Sequence, residues 1–364
     1  MSFSGSYRPE DVEFLLTPIQ RVALHEIEEK EKLIQSGARH YSEMLTPESL
    51  PSSEYLQLFV EALDRNAERM ARDCLSLAGH LAKHKDGPIV LASLARAGTP
   101  VGAIVKQLLE ECFKRAVHHY SISIIRDRGI DWAALDYIRA KHRDGEIVFL
   151  DGWTGKGVIN RELQTAVAHY NAARLSQVQS HLYVLADLCG VAHYAASYDD
   201  YLIPSAILNA TVSGLVSRSI LNEHIQPGQF HGCVFFEEFR PNDLSVAFVE
   251  EIVGAALRAP IVWHSRAEPD HKARLRCRQV SEQYLVSAGD RYGISNPNFI
   301  KPGIGEASRV LLRRLPDLLI LRDDTMADVA HLKRLALERG VRTEIDSMLP
   351  YNAVSIIRRT KDGD

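Results

Sequence analysis

A chain of 364 residues with a net charge of −4, 46% hydrophobic and 25% charged residues reads as an ordinary globular protein, long enough for two or three domains at roughly 150 residues each. That charge balance points to neither a nucleic acid nor a membrane as a bulk partner. The five cysteines (Cys74, Cys112, Cys189, Cys233, Cys277) form no C-x-x-C pair and no zinc spacing, and the N-terminus lacks the apolar core of a signal peptide. Asn209, Ser213 and Arg218 interrupt the best apolar run, short of the roughly 20 residues a membrane span needs. A reducing cytoplasm is the expected location, with homo-oligomer formation left open.

In chain order, residues 10–36 carry apolar positions at helical spacing among many charges, and Gly37 is a plausible stop. The loop "TPESLPSS" leads into a long helix from Glu54 to Lys83. The pattern then changes: "PIVLASL", "HHYSISIIR", "EIVFLD" and "SHLYVLAD" are strand-like runs separated by helical segments, the alternation of a parallel sheet covered by helices on both faces. A further strand, "HGCVFFEEF", precedes two helical stretches that run to about Ala288. "GDRYGISNPNFIKPG" reads as a linker with a boundary near 295. Beyond it come helix "GEASRVLLRRL", strand "LLILR", helix "ADVAHLKRLALERG" and strands near "VRTEI" and "VSIIRR". The expected architecture is α/β: a helical extension over residues 1–85, a parallel-sheet domain over 86–294 and a small α/β domain over 295–364.

Two strand-to-helix junctions suit anions. In "EIVFLDGWTGKGVINREL" an apolar strand ends at Asp151, and a loop of Gly152, Trp153, Thr154, Gly155, Lys156 and Gly157 precedes a helix from Val158. Converging backbone amides and the helix dipole attract phosphate there, and the glycines would let amides wrap closely around it. Thr154 offers a hydroxyl, Lys156 a charge, and Asp151 an acceptor for sugar hydroxyls. The loop is not a nucleotide-triphosphatase P-loop, because Leu150 and Gly157 stand where that motif needs glycine and a hydroxyl. In "PIVLASLARAGTPVGAIVKQLL" the loop Arg96, Ala97, Gly98 is followed by Thr99 at the expected N-cap and Pro100 at the first helical position. Two such loops on one sheet edge would hold a ligand with phosphates at both ends. Arg126 and Arg128 could cover it, with His40 and Tyr41 of "RHYSEM" beside it.

That pairing resembles the orotate-type phosphoribosyltransferases, with "FLDGWTGKG" in the ribose-phosphate role and "LARAGTP" in the pyrophosphate role. The resemblance implies phosphoribosyl pyrophosphate as substrate and Mg²⁺ held at Asp151, with Asp151 and Lys156 catalytic, transferring ribose 5-phosphate to or from a nitrogenous base or nucleoside-like metabolite. Only Asp151 stands where two acids are usual; Gly152 replaces the second. The chain as a whole is similar to a bacterial family of tellurite-resistance and stress operons, described both as phosphoribosyltransferase-like and as StiP cysteine protease. "SGARHYSEMLTPE", "FLDGWTGKG", "DDYLIPSAILNATVSGLVSR" and "FHGCVFFEEF" carry that similarity.

The alternative is a cysteine peptidase, or a non-catalytic nucleotide- or RNA-binding stress protein. A nucleophilic thiol needs a base beside it; Cys189, in "LADLCGVAHYAASYDD", has His193, Asp199 and Asp200 near in sequence, whereas Cys233, after His231, reads as a buried thiol in a strand. Near the C-terminus, "KPGIGEASRVLLRR" holds four basic residues and one acid and resembles the Pelota-type RNA-binding domain. Gly303, Glu306 and Arg309 match its pattern, and Gly305 stands where that family often has asparagine. The resemblance implies structured RNA as a partner, contacted through Lys301, Gly303, Glu306, Arg309 and Arg313.

Overall fold

The computed structural model describes residues 3–20, 22–259 and 269–360, so residues 1–2, Arg21, 260–268 and 361–364 lie outside the described residues. Strands β1 (Glu13–Leu15) and β2 (Thr17–Pro18) precede α1 (Ile27–Gln35) and the long α2 (Ser53–His84). Then come β3 (Ile89–Leu94), α3 (Gly98–Phe113), β4 (Val117–Ile122), the short pair β5 (Ile124–Ile125) and β6 (Gly129–Ile130), and α4 (Trp132–Lys141). They are followed by β7 (Glu146–Thr154), α5 (Val158–Arg174), β8 (Leu182–Asp187) and β9 (Tyr194–Ser197). After an irregular stretch, β10 (Gly232–Cys233), α6 (Ser245–Arg258) and α7 (His271–Tyr292) lead to the C-terminal body: β11 (Ile300–Pro302), α8 (Ile304–Arg313), β12 (Pro316–Leu321), α9 (Ala330–Glu338), β13 (Arg342–Ile345) and β14 (Ala353–Ile357).

The main sheet runs β1-β4-β3-β7-β8-β9, parallel throughout. Strand periodicity of two sends alternate side chains to opposite faces. Ile89, Leu91, Val148, Leu150, Tyr183 and Leu185 pack toward the α2, α3 and α6 side. Val90, Ala92, Ile147, Phe149, Leu182 and Val184 pack toward α4 and α5. Burial on both faces explains why the four strand runs read as continuous apolar stretches. Ser52 starts α2 by accepting a hydrogen bond from Tyr55 N at 3.2 Å.

Two expectations are corrected. Residues 10–36 are not one helix: Glu13–Leu15 pair with Tyr120–Ile122 as the sheet's edge strand, and Phe14 and Leu15 face opposite cores. The "VEFLL" alternation was strand periodicity, and helix begins only at Ile27. In "HGCVFFEEF" the strand is confined to Gly232–Cys233, paired with Thr17–Pro18, and Phe235 makes an isolated bridge to Val216. Phe236 and Phe239 turn out of line and stack at 5.2 Å in a small cluster of their own.

The C-terminal body is a four-stranded sheet, β11-β14-β12-β13, with α8 and α9 packed against each other. It does not stand apart. Ile304, Ala307, Leu311 and Leu332 share one continuous core with residues of α2 and the main sheet, while Ala288 and Ile294, at and beyond the end of α7, pack with Ile300, Leu318 and Tyr351.

Candidate functional site

The first junction is shorter than its sequence indicates. β7 continues through Gly152, Trp153 and Thr154, leaving Gly155, Lys156 and Gly157 as the turn. Gly157 has φ +75°, a left-handed conformation that favours glycine, and its N–H donates to Thr154 Oγ1 at 3.2 Å. Asp151 is therefore inside a strand, its carboxylate accepting from Gly152 N at 2.8 Å. Burial raises its pKa to about 6, the Arg309 charge partly opposing the rise. Lys156 Nζ does not point at an open anion site; it donates to Pro297 O and, at 3.1 Å, to Ile300 O. Burial and the nearby Lys301 lower its pKa to about 6.

The glycines serve docking, not phosphate wrapping. A Cβ at Gly155 would lie 2.6 Å from Pro302 O, and one at Gly305 would lie 2.4 Å from Trp153 Cε2. Here the C-terminal body presses its backbone onto the turn. This contact explains glycine at 305 in place of asparagine: a longer side chain would overlap the indole.

At the second junction α3 starts at Gly98. Thr99 is fully buried, its hydroxyl 2.7 Å from Ser121 Oγ, so it does not cap the helix or face a ligand. Gly98 is packed against Leu150, whose oxygen would be 2.6 Å from a Cβ there. Arg96 does reach the site. Its guanidinium pairs with Glu48 at 2.7 Å and donates to Val216 O.

The two junctions and the C-terminal body enclose a cavity of about 330 Å³ lined by Arg96, Ala97, Asp151, Trp153, Thr154 and the Gly155–Gly157 turn, and by Lys301, Glu306, Arg309 and Arg313 from the other side. Lys30, Arg126, Arg218 and Arg314 complete a wall of nine Lys and Arg residues against two carboxylates, Asp151 and Glu306. Arg309 lies over the Trp153 ring at 4.4 Å and pairs with Glu306 at 2.6 Å. Tyr41 also lines the cavity, its hydroxyl accepting from Arg126 N at 2.8 Å. His40 turns to Ser42 instead, and Arg128 pairs with Glu43. For Mg²⁺ the donor set does not fit: Asp151 faces a cationic wall, and among the described residues no group of three or more His, Cys, Asp and Glu could hold a metal ion.

The expected RNA-contacting residues are thus brought together, but they face inward. Asp200 Oδ1 accepts from Ile304 N at 2.9 Å and Oδ2 from Asn352 N at 2.7 Å, so a carboxylate of the large domain already occupies the anion position at the start of α8. Gly303, φ +93°, abuts Leu188. The sequence placed Trp153 in the first loop and Asp200 near Cys189, but their contacts with α8 come only from docking.

Cys189 lies just past β8 and is 3% exposed. Its Sγ is 3.6 Å from Thr154 Oγ1 and 3.5 Å from Asp187 Oδ1. Burial and the Asp187 carboxylate push its pKa far up. None of its hydrogen-bonding partners is a histidine: His193 stacks on His181 at 3.7 Å, and Asp199 pairs with Arg69. The loop after it is closed by α7, as Gly190 O accepts from Arg274 Nε at 3.3 Å and Arg278 Nη2 at 3.1 Å. Cys233 is fully buried as expected, and His231 bonds to Ser123 Oγ at 2.8 Å.

A family model described as "Tellurite-like stress resistance cysteine protease StiP" matches residues 5–253. The chain belongs to the StiP family. A Pelota RNA-binding domain model matches residues 279–359. The chain is also 40% identical over 378 residues, 99% of this chain and 96% of the other, to "Cysteine protease StiP" of Acinetobacter baylyi. Among solved structures it is similar to a hypoxanthine phosphoribosyltransferase of Trypanosoma cruzi, at 15% identity, 37% of this chain, 72% of that one and a TM-score of 0.28. An aminotransferase of Thermus thermophilus follows, at 16% identity, 70% of this chain, 72% of that one and a TM-score of 0.18. Scores this low carry no functional argument. The family and its Acinetobacter member are named as a cysteine protease, which overturns the expected phosphoribosyl transfer and the phosphoribosyltransferase class. Physically, the single acid at Asp151 and the glycines given over to docking fit that correction. No helix among the described residues is long and apolar enough to cross a membrane.

Proposed function

We propose that this StiP-family chain is a thiol peptidase of stress resistance, with Cys189 as nucleophile and the described arrangement as its resting state. The identity to the Acinetobacter cysteine protease along nearly the whole chain carries the activity. Its placement supports Cys189: the thiol sits at the carboxyl edge of the parallel sheet, beside a hydroxyl, and lines a cavity of about 140 Å³ with Arg161, Arg278 and Ser281, in the region where open α/β sheets bind ligands. A thiol this deeply buried beside a carboxylate stays protonated and unreactive. Cleavage then requires α7 to lift from Gly190 so that a base reaches the sulfur. Proteolysis of fluorescent casein under reducing conditions tests this. The wild type should cleave, Cys189→Ala should not, and Cys233→Ala should behave as wild type. A folded wild-type chain that cleaves nothing between pH 6 and pH 9 refutes the peptidase reading, while cleavage by Cys189→Ala moves the nucleophile elsewhere.

A second reading rests on the Pelota match. RNA would be bound by the α8 start, and Asp200 and Trp153 hold that surface closed in the docked chain. RNA attachment therefore follows undocking. A full-length chain binding structured RNA tightly with docking intact would refute the masking.

A further inference from the structure

The sheet of the C-terminal body has one covered edge and one open edge. At the covered edge β11 ends in Pro302, and its Ile300 O accepts from Lys156 of the main domain. At the open edge β13 pairs with β12 and, among the described residues, with no other strand. Asp346 N donates to Leu321 O, which fixes the direction of the main-chain groups along β13. In a strand of a parallel pair, alternate residues bond to the neighbour. Arg342 and Glu344 therefore bond inward to β12, and Thr343 and Ile345 present their N–H and C=O groups outward. Among the described residues nothing meets those groups. Natural edges are commonly blocked by proline, by lysine or by a bulge. Residues 341–345 contain neither proline nor lysine, and Arg342–Ile345 stay in regular register with β12.

The two faces of the strand differ in kind. Register places Thr343 opposite Leu319 and Ile345 opposite Leu321, whose side chains belong to the core under α8 and α9, and Val341 packs at the margin of that core. Arg342 and Glu344 lie on the other face, where Glu344 accepts from Tyr292 Oη at 3.3 Å and Arg342 approaches Glu344 at 3.5 Å. Ile345 is 54% exposed. Leu337, in the end of α9 that leads into β13, is 79% exposed, and Met348, just past β13, is 86% exposed. Exposed apolar side chains thus flank the open strand at both ends, the composition of an edge that another chain covers.

The strand's own sequence says what that chain is. Laid antiparallel against a second β13 with Thr343 at the two-fold axis, it sets Arg342 opposite Glu344 and Val341 opposite Ile345 in both halves. Charges meet charges of opposite sign on one face, and apolar groups meet apolar groups on the other. The same register suits the main chain, because the outward-facing Thr343 residues oppose each other and exchange both hydrogen bonds. An unrelated extended segment has no reason to meet all three requirements. We propose that β13 is a homodimer interface, through which two chains join edge to edge about a two-fold axis and make their C-terminal sheets one continuous sheet. Isologous pairing of one short strand buries little area, so the dimer is a reversible one that forms as concentration rises. It is independent of peptide cleavage and of RNA attachment.

Sedimentation equilibrium of the full chain in reducing buffer, from about 1 µM to about 100 µM, tests this. The mass should rise from that of one chain toward that of two. Thr343→Pro removes an outward N–H and no bond to β12, so it should fold and weaken association at least about tenfold. Ile345→Lys, at an exposed position, is the second variant should Thr343→Pro fail to fold. Arg342→Glu should also weaken association at least about tenfold, because it sets like charges opposite each other in both halves. The double variant Arg342→Glu with Glu344→Arg should restore it. A chain that is monomeric at about 100 µM overturns the proposal and leaves the edge to an extended segment of another protein. Dimerisation unchanged in both Thr343→Pro and Ile345→Lys, or a double variant no better than Arg342→Glu, also overturns it.

Discussion

Gly305→Ala should loosen the C-terminal body from the sheet. A Cβ at 305 would lie 2.4 Å from Trp153 Cε2, 2.7 Å from Nε1 and 2.8 Å from Cζ2. Carbon atoms pack at about 3.5–4.0 Å, so α8 or the indole must retreat by roughly 1 Å. The indole has little room, being 7% exposed and covered by Arg309 at 4.4 Å. Overpacking of this kind costs about 1–3 kcal/mol, and displacing Arg309 from the ring removes a further contribution of roughly 0.5–1 kcal/mol. Against this, alanine is the better helix former by about 1 kcal/mol. The net is a destabilisation of about 0.5–3 kcal/mol, and its sign is the informative part. Urea denaturation followed by circular dichroism should show a lower first midpoint in the variant. A variant as stable as the wild type, or more stable by the helix gain, would mean that the backbone of α8 does not press on Trp153 and would remove the argument for a masked RNA surface.

Iodoacetamide should label Cys189 slowly at neutral pH, because the thiolate is disfavoured there. Gly190→Ala should accelerate that labelling, since a Cβ would lie 2.1 Å from Arg274 O and must push α7 away; equal rates measured by mass spectrometry would count against α7 as the cover. Stability should rise from pH 7 to pH 9. Burial lowers Lys301 to about 8, Lys30 to about 7 and Lys156 to about 6, so the cost of their charge is full below those values and is relieved as pH rises toward the unfolded lysine value. Lys156 is faced by Lys301, Arg126, Arg161 and Glu306, so the net surroundings are cationic. The gain is up to about 1.4 kcal/mol per pH unit for each lysine in its window, and urea midpoints that fall between pH 7 and pH 9 would contradict it. Asp200→Ala should increase the affinity of the full chain for a structured RNA hairpin, as the carboxylate no longer occupies the start of α8; unchanged binding would show that Asp200 does not mask it.

The sheet was legible because strands buried on both faces must be apolar throughout: "PIVLASL" and "EIVFLD" admit few other readings, and their positions follow directly. The edge strand was not. Although Phe14 and Leu15 are buried on opposite faces, the strand is only three residues, Glu13–Leu15, too short to outweigh the charged helical spacing after it in the same window. The site was half legible. Strand-to-helix turns with glycine and lysine mark where anions gather, and the cavity does lie there. Local sequence could not tell that Gly155 and Gly305 were needed for a neighbouring body, because glycine that admits a phosphate and glycine that admits a backbone look alike.

The same ambiguity bears on Asp200. It stood with His193 and Asp199 near Cys189 in sequence; in space it caps α8 and leaves the thiol with Asp187. A carboxylate capping a helix start takes the place that nucleic-acid phosphate takes when the helix is free. Burial raises its pKa to about 6, with the Ile304 and Asn352 amides opposing the rise, so at neutral pH the docked chain holds the charged form against its desolvation. An arrangement that buries an unfavourable carboxylate at one side of an interface, and at the other several cations hydrogen-bonded to neutral acceptors such as Ile300 O and Asn209 Oδ1, is closed by apolar packing of Ile304, Ala307 and Leu311, and its polar groups favour opening. Such an interface separates more readily than its area alone implies.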